Sequence, residues 1–146
     1  MCIIIVKKAG LPLPSEDILR DAWRNNPDGG GYMLPSQTGN VQIKKGFMEF
    51  DDFMKSINTV KNIKDKPVII HFRITTHGGT SRANTHPFPL SSNIKDLVST
   101  RVKSNIGIAH NGIINISNDK KLSDTMQYRK DDLSLFNTNK LDWYKD

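Results

Sequence analysis

At 146 residues, 36% hydrophobic and 25% charged, the chain has the length and composition of one globular domain with a real core, not of a disordered segment. Its net charge of +6 comes from 21 Lys+Arg against 15 Asp+Glu, but the lysine pairs at 7–8, 44–45 and 120–121 never form a block. The pattern reads as a basic solvated surface and argues against a nucleic-acid-binding face. A single cysteine, Cys2, excludes an intramolecular disulfide and any C-x-x-C zinc site. The apolar run "IIIV" is too short to span a bilayer, and it is followed rather than preceded by "KK", so neither a membrane anchor nor a secretory signal is expected. A cytoplasmic location is the expectation.

The elements follow in chain order. "CIIIVK" is a continuous β-branched run and predicts a strand buried on both faces. After the rigid "LPLPS", Ile18, Leu19, Ala22 and Trp23 recur at helical spacing, with Ser15 available as N-cap. Pro27 and the glycines of "NNPDGGG" end that helix. "GYMLPS" and "VQIKKGF" flank "QTGN", which predicts a hairpin. Phe50, Phe53, Met54, Ile57 and Val60 mark a second amphipathic helix over 51–61. "PVIIHFRI" predicts another buried strand after Pro67, followed by the polar loop "TTHGGTSRANTHPFP". "NIGIAH", "NG" and "IINI" read as strand, turn and strand, and a helix is expected to begin near Ser123. Several strands with two helices and a third start give an α+β class rather than alternating βαβ. A polar, aperiodic tail occupies 137–146.

Four polar clusters fall at strand ends or in loops, where sites are usually built: "NNPDGGGY", "HFRITTHGG" with "RANTHPF", "AHNG" and "LSDT". Each also has a structural explanation. The glycines suit a flexible turn, "HNG" a tight hairpin turn, "SDT" a helix cap, and Cys2 a small buried hydrophobe. The four histidines lack metal-ligand spacing, so neither a metal centre nor a cofactor is expected.

Taken together and in order, these motifs resemble the glutaminase domain of class II glutamine amidotransferases, members of the N-terminal nucleophile hydrolases. That family begins, after methionine removal, with a catalytic cysteine, here Cys2. Its Pro-Asp-x-x-Gly loop is matched by Pro27, Asp28 and Gly31. Its His-x-Arg-x-x-Thr-x-Gly strand end is matched by His71, Arg73, Thr76 and Gly78. Asn84, His86, Pro87 and Phe88 match Asn-x-His-Pro-Phe; His110, Asn111 and Gly112 match His-Asn-Gly; Ser123, Asp124 and Thr125 match Ser-Asp-Thr. The resemblance spans about residues 1–128. Two positions depart from it: Ile74 stands where an aromatic is frequent, and Met126 where a glutamate is common.

The resemblance implies an αββα sandwich, in a short or C-terminally incomplete version over 1–136. It also implies roles for several of these residues. With Met1 removed, the freed α-amino group of Cys2, whose ordinary pKa is about 7.7–8.0, can take the thiol proton. Nucleophile and base then arrive in one residue. Cys2 would attack the side-chain amide of L-glutamine, releasing ammonia and leaving a γ-glutamyl thioester that water hydrolyses. The Asn111 amide and the Gly112 backbone N–H would meet the oxyanion. Arg73 suits the substrate carboxylate, since a guanidinium can hold it through two hydrogen bonds, and Asp124 suits the ammonium. Groups around Thr76 and His77 would complete the cradle. With no synthase domain in the sequence, the resemblance implies either a separate ammonia-accepting synthase as partner or a bare glutaminase. Two further readings stay open: an amidohydrolase for another small amide, and an inactive basic binding module on the same fold.

Overall fold

A computed structural model describes residues 1–75, 79–112 and 125–126. Its strands, in chain order, are β1 (Ile3–Lys7), β2 (Gly30–Pro35), β3 (Val41–Phe47), β4 (Val68–Phe72), β5 (Phe88–Pro89), β6 (Arg101–Ser104) and β7 (Gly107–Ile108). Its helices are α1 (Glu16–Arg24), α2 (Phe50–Asn58) and α3 (Ile94–Val98). Five strands form one antiparallel sheet in the spatial order β1-β4-β2-β3-β6, and β5 pairs with β7 in a separate antiparallel ladder. The class is α+β, as the sequence pattern implies.

Side-chain alternation sorts each strand onto two faces. One face carries Tyr32 and Leu34 of β2 and Val68, Ile70 and Phe72 of β4. Leu19 and Trp23 of α1 and Phe50, Phe53 and Ile57 of α2 cover it. Edge-to-face ring contacts knit this layer: Phe72 lies 5.1 Å from Trp23 and 5.0 Å from Phe53, centroid to centroid. Such pairs add about 0.5–1.5 kcal/mol each beyond area burial. The intervening residues Gly31, Met33, Ile43, Lys45 and His71 lie on the opposite face. There Gly107 of β7 packs on Met33, Val41 and Ile43, and His86, just before β5, stacks on His71. A small second core of Phe88, Leu97 and Met126 lies with them.

Local signals set α1 as expected. The Ser15 side chain accepts from the Ile18 amide at 3.4 Å, Glu16 and Asp17 occupy the first turn, and Arg24 the last. Ile18, however, is 60% exposed, because one residue's rotation from Leu19 carries it off the buried face. The second helix spans Phe50–Asn58 rather than 51–61; Val60 lies beyond its end yet still packs against the core. The "QTGN" turn joins β2 to β3, closed by Ser36 N–H donating to the Asn40 carbonyl at 2.7 Å, with Gly39 at φ +81°.

Three expectations need correcting. "CIIIV" is not buried on both faces: β1 is a sheet edge, and Val6 is 67% exposed. "NIGIAH" is not one strand, since β6 lies before it and β7 covers only Gly107–Ile108. Nor are the lysines all solvated. The Lys7 ammonium donates to the carbonyls of Leu11, Ile63 and Lys64 at 2.9, 2.7 and 2.8 Å. Lys45 Nζ donates to those of Ala83 and Leu97 at 2.8 and 2.7 Å. Both side chains are buried. The "IINI" strand, the tail over 137–146 and the boundary at 136 fall outside the described residues. Of the helix expected from Ser123, Thr125 and Met126 are described, and both are helical.

Candidate active site

The antiparallel pairing of β1 with β4 brings the start of one strand to the end of the other. Ile3 lies opposite Phe72, so Cys2 continues the register toward Arg73. The half-buried Cys2 thiol donates to the Ile74 carbonyl at a sulfur–oxygen distance of 3.5 Å. Residues 72 places apart in sequence therefore meet because two strands are neighbours.

The "PDGG" loop clasps the same strand end. Arg73 N–H donates to the Gly29 carbonyl at 2.8 Å, and Asp28 N–H donates to the Arg73 carbonyl at 3.0 Å. The Asp28 carboxylate accepts from the Thr75 amide at 2.7 Å. Gly31 allows the next close approach, since a Cβ there would collide with the backbone carbonyls of His86 and Lys44. The glycine and aspartate of the loop thus have separate jobs: one admits a neighbouring backbone, the other holds the segment after β4.

Arg73 is itself buried, at 4% exposure. Its Nη1 donates to the Thr75 hydroxyl at 3.0 Å and to the Gly79 carbonyl at 2.8 Å. The Thr75 hydroxyl also bonds Thr80 at 3.0 Å, and the Asn84 amide donates to the Gly79 carbonyl at 3.4 Å. The guanidinium is thus anchored at Nη1 by two acceptors.

Beneath lies a pair of imidazoles. His71 and His86 stack with centroids 4.3 Å apart at 21°. His71 Nε2 lies 3.0 Å from the His110 carbonyl; a carbonyl only accepts, so Nε2 carries the proton. His86 Nε2 lies 3.0 Å from the Thr125 hydroxyl. The Nδ1 atoms of both rings are buried without a hydrogen-bond partner. Burial pushes His71 down to about 4, with a lesser push from the Arg73 charge. Burial likewise drives His86 well below its ordinary value, helped by His71 and Lys45. Lys45, desolvated on the same face, is lowered to about 6.

Of the site residues expected from sequence, Cys2 and Arg73 are brought to one sheet end. Asn111 and Gly112 follow His110, whose carbonyl His71 holds; both are exposed, and Gly112 has φ +141°. Thr76, His77 and Asp124 lie outside the described residues. Met126 is fully buried against Phe88 and Leu97, so the position that departs from the family pattern is apolar in this chain. Thr75, His71, His86 and Lys45 were not expected as site-building residues. A histidine interrupting the apolar run "VIIHF" was the available signal for His71, since a polar side chain inside a buried strand needs a partner. Among the described residues no group of three or more His, Cys, Asp and Glu could hold a metal ion. No helix among them is long and apolar enough to cross a membrane.

No family model matches the chain, and neither does any curated protein or solved structure.

Proposed function

We propose that this chain is a glutamine amidohydrolase of the N-terminal nucleophile type, working through Cys2. The observation that carries the reading is the meeting of the Cys2 thiol with the Arg73–Ile74 segment at one end of the sheet. A thiol and a buried guanidinium lie on neighbouring strands at that sheet end, which supports a site that takes a substrate amide at one and its carboxylate at the other. Met1 is 95% exposed, so its removal requires no unfolding. The α-amino group of Cys2 then takes the thiol proton, and the thiolate attacks the glutamine side-chain amide. The exposed Asn111–Gly112 turn supplies oxyanion donors, and Asp124 receives the substrate ammonium. Ammonia leaves, and water hydrolyses the γ-glutamyl thioester to glutamate.

The layer order fits this proposal. Helices α1 and α2 packed on one face of an antiparallel sheet support reading the fold as part of an αββα sandwich. Ammonia would pass to a separate synthase in the cytoplasm, where a single thiol stays reduced.

The test is ammonia release from L-glutamine by protein of known intact mass, in parallel with Cys2→Ala. The expected active species lacks Met1, the variant is inert though folded, and the glutamine analogue 6-diazo-5-oxo-norleucine adds to Cys2. Full activity in Cys2→Ala, or in protein retaining Met1, overturns the mechanism.

A further inference from the structure

We propose that the stacked His71–His86 pair is a positioning device: it ties the loop bearing Asn111 and Gly112 to Thr125, through the His110 carbonyl and the Thr125 hydroxyl. This rests on the amidohydrolase reading. The two bonds leave the pair in different directions. One, at 3.0 Å, fixes the residue immediately before the oxyanion donors. The other, also 3.0 Å, fixes the residue immediately after the ammonium anchor. The stack joins them at 4.3 Å, so the His110 carbonyl and the Thr125 hydroxyl share one mount.

The mount is unusual in its material. Two fully buried imidazoles, each with an unpartnered Nδ1, are a costly way to fill a core that Leu and Phe would fill more cheaply. Stability alone does not account for them, whereas two directional bonds to two separate loops do. The groups facing the pair are cationic or basic: Arg73, Lys45 and His110. With no acid among the described groups shifting either ring, both stay neutral near pH 7, and a neutral His71 keeps one donor with a fixed tautomer. His71 and His86 touch no substrate in this scheme; they act through the loops they hold.

The bonds predict a split in kinetics. Loss of the His71 bond frees the oxyanion donors, so folded His71→Leu should lose about 10–100-fold in kcat with KM within about twofold. Gln places an amide N–H near the position of Nε2, so His71→Gln should recover most of that loss. Thr125→Val deletes the other bond from its far side and leaves His86 in place. It should raise KM about tenfold with little change in kcat. Both bonds can also be read without turnover. In 15N relaxation the order parameters of Asn111 and Gly112 should fall from about 0.85 to below about 0.6 in His71→Leu and return in His71→Gln. If wild-type protein releases no ammonia, the amidohydrolase reading falls and relaxation alone decides the tether. If it is active while folded His71→Leu keeps native order parameters and native kcat, the positioning role is overturned and the amidohydrolase stands. Thr125→Val acting on kcat rather than KM overturns the second half.

Discussion

The Asp28 carboxylate accepts a hydrogen bond from the backbone amide of Thr75 at 2.7 Å, across 47 residues of sequence. The same Thr75 offers its hydroxyl to Arg73 Nη1 at 3.0 Å. Asp28 therefore sets the guanidinium at second hand, by fixing the residue that fixes it.

Asp28→Ala leaves the Thr75 amide without its ionised acceptor. A hydrogen bond to a charged group is worth about 1.5–3 kcal/mol, and Asp28 is only half-buried, so a loss near the lower end is expected in denaturant unfolding. Asp28→Asn keeps an acceptor oxygen and should lose less than half as much. If the two variants are equally destabilised, the bond is not what Asp28 contributes. Under the proposed function, Asp28→Ala should also raise the KM for glutamine more than it lowers kcat, because one of the two anchors of Arg73 is then loosened.

Gly31 and Gly39 make a matched pair of glycine tests. A Cβ on Gly31 would meet the backbone carbonyls of His86 and Lys44 and the Cβ of Lys45, none of them the far end of a flexible side chain. A Cβ on Gly39 would meet nothing within 4 Å, although its φ of +81° strains any other residue. Gly39→Ala should cost about 1 kcal/mol, the ordinary penalty for an L side chain in left-handed backbone. Gly31→Ala should cost at least about 3 kcal/mol, since the sheet must part from the segment before β5. Thermal unfolding of both variants gives the comparison, and near-equal losses would mean that β2 can shift away from His86 without penalty.

Which features the sequence shows depends on how far apart their causes lie. Ser15 caps a helix from three residues away, and "QTGN" turns a hairpin within its own loop, so both were legible. The edge position of β1 depends on the order of five strands, and nothing inside "CIIIV" encodes it. Lys7 and Lys45 read as surface charges because the carbonyls that receive them lie up to 57 residues away. The candidate site divides the same way. Cys2 and Arg73 were marked by their motifs and are brought together by one strand pairing. The Asp28–Thr75 bond and the His71–His86 stack join motifs to each other, and such joints exist only in three dimensions.

Lys45 and His71 make stability depend on pH with one sign. Burial lowers Lys45 from 10.5 to about 6 and His71 from 6.5 to about 4. In each window the unfolded chain binds a proton that the folded protein refuses, so stability rises with pH. His71 acts between about pH 4 and 6.5, and Lys45 between about 6 and 10.5. A full proton difference is worth about 1.4 kcal/mol per pH unit, so moving from pH 6.5 to 8.5 should add up to about 2.7 kcal/mol. Lys45→Met should flatten that rise. A wild-type protein whose stability is level across these two units would show that Lys45 keeps its proton, held by two carbonyls and by the Phe88 ring 3.6 Å beneath it.

Asn111 and Arg73 separate chemistry from anchoring. Under the proposed function the Asn111 amide meets an oxyanion that exists only during the reaction, whereas Arg73 would hold a carboxylate whose charge never changes. Loss of a transition-state contact lowers kcat; loss of uniform binding raises KM. Removing one oxyanion donor typically costs about 10²–10³ in kcat, and Asn111→Ala should fall in that range at saturating glutamine. Its fold should hardly suffer, since Asn111 is exposed. Arg73→Ala should act mainly through KM, but it also strips a buried donor from the Thr75 hydroxyl and the Gly79 carbonyl, so part of its effect is structural. Arg73→Lys divides the two effects: it keeps the charge and loses the planar fork, so stability should largely return while KM stays high. If "HNG" is a turn and nothing more, Asn111→Ala would instead cost about 1 kcal/mol or less of stability and leave the rate per folded molecule intact. Steady-state kinetics on variants whose folding is checked by circular dichroism decides between the two, and a normal kcat in folded Asn111→Ala removes Asn111 from the chemistry.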